Sequence, residues 1–192
     1  MFWMYTKSMK KLIGLSLILG SLLVACPTPP YVPTLTNEAN TPFYDAINTK
    51  RQSASGGTPI NCAASGSQFP AKNFTTPSPN LVLDTQLQKA AHNHADFMAK
   101  NHKTAMPSDP HNGAGDGTVL TRAKAAGFNG SSLGEIMAFE FTETSAVITA
   151  WINSTVGHCQ VFMDTDFNRY GAAIVTIPDN NKKYWVVSFG KL

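Results

Sequence analysis

Apolar positions change their rhythm several times along this chain. Residues 12–24 form one largely apolar run, too short to span a bilayer comfortably. From residue 41 the apolar positions recur every three or four residues. Thr41-Pro42 supplies a cap and an early proline for a first helix that buries Phe43 and Ile47 and runs to about Gln52. Asp84 caps a second helix, with Leu87, Ala91, His94 or Ala95, and Met98 at helical spacing. Thr118 opens a third through Val119, Arg122, Ala123 and Ala126, which Gly127 closes as a left-handed cap. Thr144 caps a fourth, carrying Val147, Ile148 and Trp151.

The last third changes period. Residues 170–177 and 182–189 are β-branched and aromatic runs, joined by Pro178-Asp179-Asn180-Asn181, and predict a β-hairpin. Residues 128–141 read as a loop leading into a strand. Residues 53–79 are rich in Ser, Gly, Asn, Thr and Pro and read as a long loop, and residues 106–117 as a second irregular stretch. Helices first and antiparallel strands later predict an α+β layered domain.

The front end changes the picture from soluble domain to exported one. Lys7, Lys10 and Lys11 precede the apolar run, which ends in Leu23-Val24-Ala25-Cys26. Residues 1–26 therefore read as a lipoprotein signal peptide, with Cys26 the lipidated residue, or else as an ordinary secretory peptide cut after Ala25. Residues 27–41, with prolines at 27, 29, 30 and 33, predict a semi-rigid tether, and residues 42–192 one domain. Three of the 15 Lys and Arg residues fall in the leader, leaving 12 against 12 acidic residues. A near-neutral domain carries no electrostatic footprint for nucleic acid.

Once Cys26 is assigned to lipid, Cys62 and Cys159 remain. In an exported chain this pair reads as a disulfide rather than two buried thiols. Five histidines are available: His92, His94, His102, His111 and His158. His94 lies on an apolar helix face and reads as a hydrogen-bonded core residue, while His92 and His102 read as solvent-exposed. His111, in a loop with Asp109 and Asp116, and His158, beside Cys159, are the candidates for chemistry. Two imidazoles and a carboxylate can hold zinc with water in the fourth position. No HExxH or CxxC spacing supports this independently. Ser131 and Ser154 lack a nucleophile elbow, and no glycine-rich phosphate loop is present.

A set of short motifs resembles the superfamily of cysteine-rich secretory proteins, antigen 5 and pathogenesis-related proteins, the CAP or SCP domain. In order they are Ala90-Ala91-His92-Asn93-His94-Ala95-Asp96-Phe97-Met98, His111, Arg122 through Ala126-Gly127-Phe128, Gly134-Glu135-Ile136, Trp151-Ile152-Asn153-Ser154, Gly157-His158-Cys159 and Phe189-Gly190. The resemblance implies an α-β-α sandwich with a mostly antiparallel sheet covered by helices. It also implies a cleft lined by His111, Glu135 and His158. The fourth cleft position, a second glutamate in eukaryotic members, is Ser154 here. Ile136 replaces the usual asparagine, and one extra residue separates Trp151 from His158. Bacterial members with Gly-His-Cys and an upstream cysteine support the Cys62–Cys159 pairing.

Two functions are compatible with these residues. One is a membrane-tethered extracytoplasmic module that binds a small ligand or a protein partner, with His111 and His158 able to take zinc. The other is a zinc-assisted hydrolase, a protease or nuclease, in which Glu135 orients water. The missing fourth residue favours binding.

Overall fold

The computed structural model describes residues 35–192. The leader, Cys26 and most of the tether lie outside the described residues. In chain order the elements are α1 (Thr41–Gln52), β1 (Ile60–Cys62), β2 (Lys72–Phe74), β3 (Val82–Leu83), α2 (Thr85–Asn101), α3 (Val119–Ala126), β4 (Leu133–Phe139), α4 (Thr144–Ile152), α5 (His158–Met163), β5 (Arg169–Thr176) and β6 (Lys183–Gly190).

β5 and β6 form the predicted hairpin and pair antiparallel from Arg169↔Gly190 to Thr176↔Lys183. β4 adds antiparallel to β6, and β3 pairs parallel with β5 over two residues, giving the order β3-β5-β6-β4. Alternation along the strands feeds two cores. Ile136, Ala172, Ile174, Trp185 and Val187 face Phe43, Ile47, Trp151 and Phe162 of α1, α4 and α5. Met137, Ala173, Val175, Tyr184 and Val186 face Ala91, Ala95 and Met98 of α2. Both faces are therefore covered, which explains why β5 and β6 read as continuous apolar runs and not as alternating ones. The architecture is the expected α-β-α sandwich.

α2 lies very close to the sheet. A Cβ on Gly171 of β5 would come within 1.9 Å of the Gln88 nitrogen, so no side chain fits there. Asp84 caps α2 as predicted, accepting from the Gln86 and Leu87 amides, and Thr118 and Gly127 close the two ends of α3.

Other boundaries differ from expectation. Asn40, one residue earlier than Thr41, is the cap of α1, because its side chain is the one that reaches the Phe43 amide. Glu143 precedes α4, with Thr144 its first helical residue. The stretch 53–79 contains the small hairpin of β1 and β2, whose three-residue strands are too short to show alternation. His158 opens α5, a six-residue helix too brief to display a 3.6-residue period.

The disulfide joins Cys62 at the end of β1 to Cys159 in the first turn of α5, with Cα atoms 5.4 Å apart. Among the described residues, no helix is long and apolar enough to cross a membrane.

Candidate functional site

β4 is a border strand of the sheet, and the site assembles around it. Glu135 points to the α2 side and is buried, its side chain only 2% exposed. A carboxylate at that depth needs partners, and it has several. Its Oε1 accepts from Arg122 Nη2 at 2.7 Å and from His111 Nδ1 at 3.0 Å. His94 Nε2 stands 3.7 Å from the same oxygen. Ser188 Oγ on β6 donates to Oε2 at 3.5 Å. Burial alone would raise the Glu135 carboxyl, but the His111 hydrogen bond and the attraction of His94, Arg122 and His111 outweigh it. The carboxyl is held below the usual carboxylate range.

Arg122 does more than pair. Its guanidinium also bonds Asp116 Oδ1 at 3.3 Å, the Gly117 carbonyl at 2.6 Å and the His111 carbonyl at 3.0 Å. It thus folds the irregular loop 106–117 onto the sheet and delivers His111 to Glu135. His94 behaves as a core histidine, completely buried, donating from Nδ1 to Asp116 Oδ2 at 2.6 Å. Its place in the carboxylate cluster is the part that helical spacing could not show. His92 and His102, expected in solvent, are half-buried and bond the Leu35 and Ala114 carbonyls at 2.8 Å and 3.0 Å.

His158 arrives from the opposite face. Gly157 adopts φ 93°, a left-handed conformation that turns the chain sharply into α5. The disulfide at the next residue then fixes the helix start. The His111 and His158 rings meet edge to face with centroids 6.4 Å apart. Burial first, and His111 second, push His158 down to about 4. At neutral pH it is therefore an uncharged imidazole, the form that binds cations.

Ser154 lies in the connection between α4 and α5. It lines, with His158, a cleft of about 620 Å³ whose floor is the outer end of β4. The banks are the α4–α5 connection and residues 104–106. The four residues drawn from the motifs thus fall in a chain of contacts: buried Glu135 bonds His111, His111 meets His158 ring to ring, and His158 lines the cleft with Ser154.

His111 spends Nδ1 on Glu135, which orients the ring and leaves Nε2 for a cation, as carboxylate–histidine pairs do around zinc. Glu135 itself is already committed to Arg122. Among the described residues no three His, Cys, Asp or Glu side chains converge to hold an ion. The donors that remain are two imidazoles, His111 and His158, with ring centroids 6.4 Å apart.

A three-layer sandwich with two histidines and a glutamate meeting at one sheet border has the architecture of a CAP domain. The sequence matches the family described as "CAP: Cysteine-rich secretory protein family" over residues 44–189, and the chain belongs to that family.

Solved structures share the fold. An outer surface protein from Borrelia burgdorferi is 20% identical with a TM-score of 0.58, covering 82% of this chain and 98% of its own. An extracellular protein containing an SCP domain from Bacillus anthracis is 23% identical with a TM-score of 0.50, covering 60% of this chain and 35% of that one. A cysteine-rich secretory protein from Staphylococcus aureus is 12% identical with a TM-score of 0.50, covering 79% and 37% respectively. This chain thus spans about a third of the length of the latter two. No curated protein matches it.

Proposed function

We propose that this protein is a membrane-tethered, extracytoplasmic CAP domain that works as a binding module. Cys26 carries the lipid, the proline-rich residues after it form the tether, the chain docks on the domain from Leu35 onward, and the cleft beside His158 and Ser154 takes a small ligand or a segment of a partner. In an envelope with two membranes the outer one is the expected site. His111 and His158 can accept a divalent cation such as zinc at the polar end of the cleft.

The observation that carries this reading is the state of Glu135. A general base needs a lone pair free to take a proton from water. Here the carboxylate is 2% exposed and engaged by Arg122, His111 and Ser188. It stabilises the loop that presents His111, which is an architectural task.

Calorimetric titration of zinc into the wild type and a His111→Ala/His158→Ala variant tests the cation site. The wild type should bind and the variant should lose at least tenfold in affinity. A protease and nuclease screen with zinc, using the variant as blank, addresses the hydrolase. Turnover present in the wild type and absent from the variant would replace the binding module with an enzyme.

A further inference from the structure

The two borders of the central sheet are treated differently. On the β5 side the border is covered. β3 pairs with residues 169–170, and beyond it the chain leading into α1 continues the cover. There Glu38 donates its amide to the Ile174 carbonyl at 2.8 Å, and the Asn37 side chain bonds both the Ala172 carbonyl and the Ile174 amide. On the β4 side no strand follows among the described residues.

Register shows which groups that leaves. Glu140 donates its amide to the Lys183 carbonyl at 3.0 Å, so residues 134, 136 and 138 face β6 and residues 135, 137 and 139 face outward. The Met137 carbonyl is outward, as its bond from Trp151 Nε1 at 3.0 Å confirms. Among the described residues nothing else bonds the Met137 amide or the amide and carbonyl of Phe139.

These groups form the floor of the cleft of about 620 Å³. Natural sheets usually protect such a border with charge, proline or a bulge. Residues 136–139, Ile-Met-Ala-Phe, have none of these. One bank offers Ser154 and Val156, the latter 64% exposed, and the other offers Met106. The upper end is closed by Glu140, a non-glycine residue at φ 72° that turns the chain out of the strand.

We propose that this border takes up an extended peptide segment of a partner protein as an added strand. The proposal rests on the reading of the cleft as a binding site and names its occupant. Outward donors and acceptors repeat every second residue, about 6.8 Å apart, a spacing that extended backbone matches and a lipid chain or sugar does not. From residue 137 to 139, where β4 ends, the open edge spans about 7 Å, room for two or three peptide residues paired to it. Side chains of the added strand alternate between the two banks, so apolar residues at every second position are preferred, with no charge in the centre.

The test uses the full chain, purified in mild detergent, and pools of seven-residue peptides with alternating apolar and polar positions. The same pools N-methylated at alternate residues serve as comparison. Expected are binding, at least tenfold slower hydrogen exchange at the Met137 and Phe139 amides, and at least tenfold weaker binding of the methylated pools. Phe139→Pro, which deletes an outward donor, should weaken binding tenfold relative to Phe139→Leu. If the proline variant does not fold, the methylated pools still decide.

Binding that leaves those two amides unprotected, or that ignores N-methylation, overturns the added strand. So does absence of binding by every pool at millimolar concentration. A fatty acid that perturbs Ser154 and Val156 while peptides fail would leave the binding module standing without a peptide occupant. Self-association protecting the same amides would make a second copy the occupant and likewise overturn the proposal.

Discussion

Replacing Arg122 by methionine strips Glu135 of its closest cation while leaving the carboxylate buried. Breaking a buried pair from one side costs about 3–5 kcal/mol, because the remaining charge has no water to turn to. Guanidinium unfolding of Arg122→Met should show a loss of that size, and Arg122→Met/Glu135→Gln should recover part of it. A loss below about 1 kcal/mol would mean the cluster is far wetter than its 2% exposure suggests.

His158 makes a different prediction. Its folded value is about 4 against 6.5 for the free side chain. Between those values the unfolded chain binds a proton that the folded chain refuses, so stability falls as pH drops through that window. His158→Gln should flatten the decline by on the order of 2–3 kcal/mol between pH 7 and 4, read from denaturant midpoints. Glu135 acts further down the scale. Its carboxyl is held low in the folded state, so its contribution is present above the unfolded value and is lost as pH falls through the folded one.

Among the elements, α5 shows how a six-residue helix can be made rigid. The disulfide to β1 grips its start. Its end is gripped by Arg51 of α1, which is fully buried and donates to the carbonyls of Phe162, Asp164 and Pro79. Carbonyls at a helix end have no partner within the helix, and a guanidinium supplies both donors and favourable charge. Arg51→Ala should therefore cost at least about 3 kcal/mol, since it orphans several buried acceptors at once. Proteolysis should then cut first near residues 157–164; cleavage elsewhere would argue against a localised role.

Elements closed by local chemistry were readable from sequence: α2 from Asp84, α3 from Thr118 and Gly127, the hairpin from its turn and β-branched runs. Elements that owe their form to tertiary contacts were not. β1 and β2 exist because the disulfide and core hold them, and α5 because both its ends are tied. The site divides the same way. Motif order brought His111, Glu135 and His158 onto one list, yet no periodicity links a loop, a strand and a helix start. Arg122 stood out only as a landmark of a motif, and its four-way grip on Glu135, Asp116, Gly117 and His111 needs the loop folded back to become visible. His94 is the core residue that its place on an apolar helix face predicts.

For the whole molecule, the proposed anchor is the testable feature. Cys26→Ser should move the protein from the membrane pellet to the soluble fraction, because acyl chains contribute about 0.8 kcal/mol per buried methylene and little else would hold it there. Equal retention of both forms in the pellet would remove the lipid from the account.

The covered and open borders have a mechanical consequence. Tension arriving through the N-terminus meets Leu35, whose amide is held by Asp96 and whose carbonyl is held by His92, and then Asn37 and Glu38 stitched to β5. That seam lies on the opposite border of the sheet from β4. Under the proposed anchoring, a pull on the N-terminus would load that seam first and reach the proposed peptide-binding border last, so the mouth of the cleft is set apart from the strain.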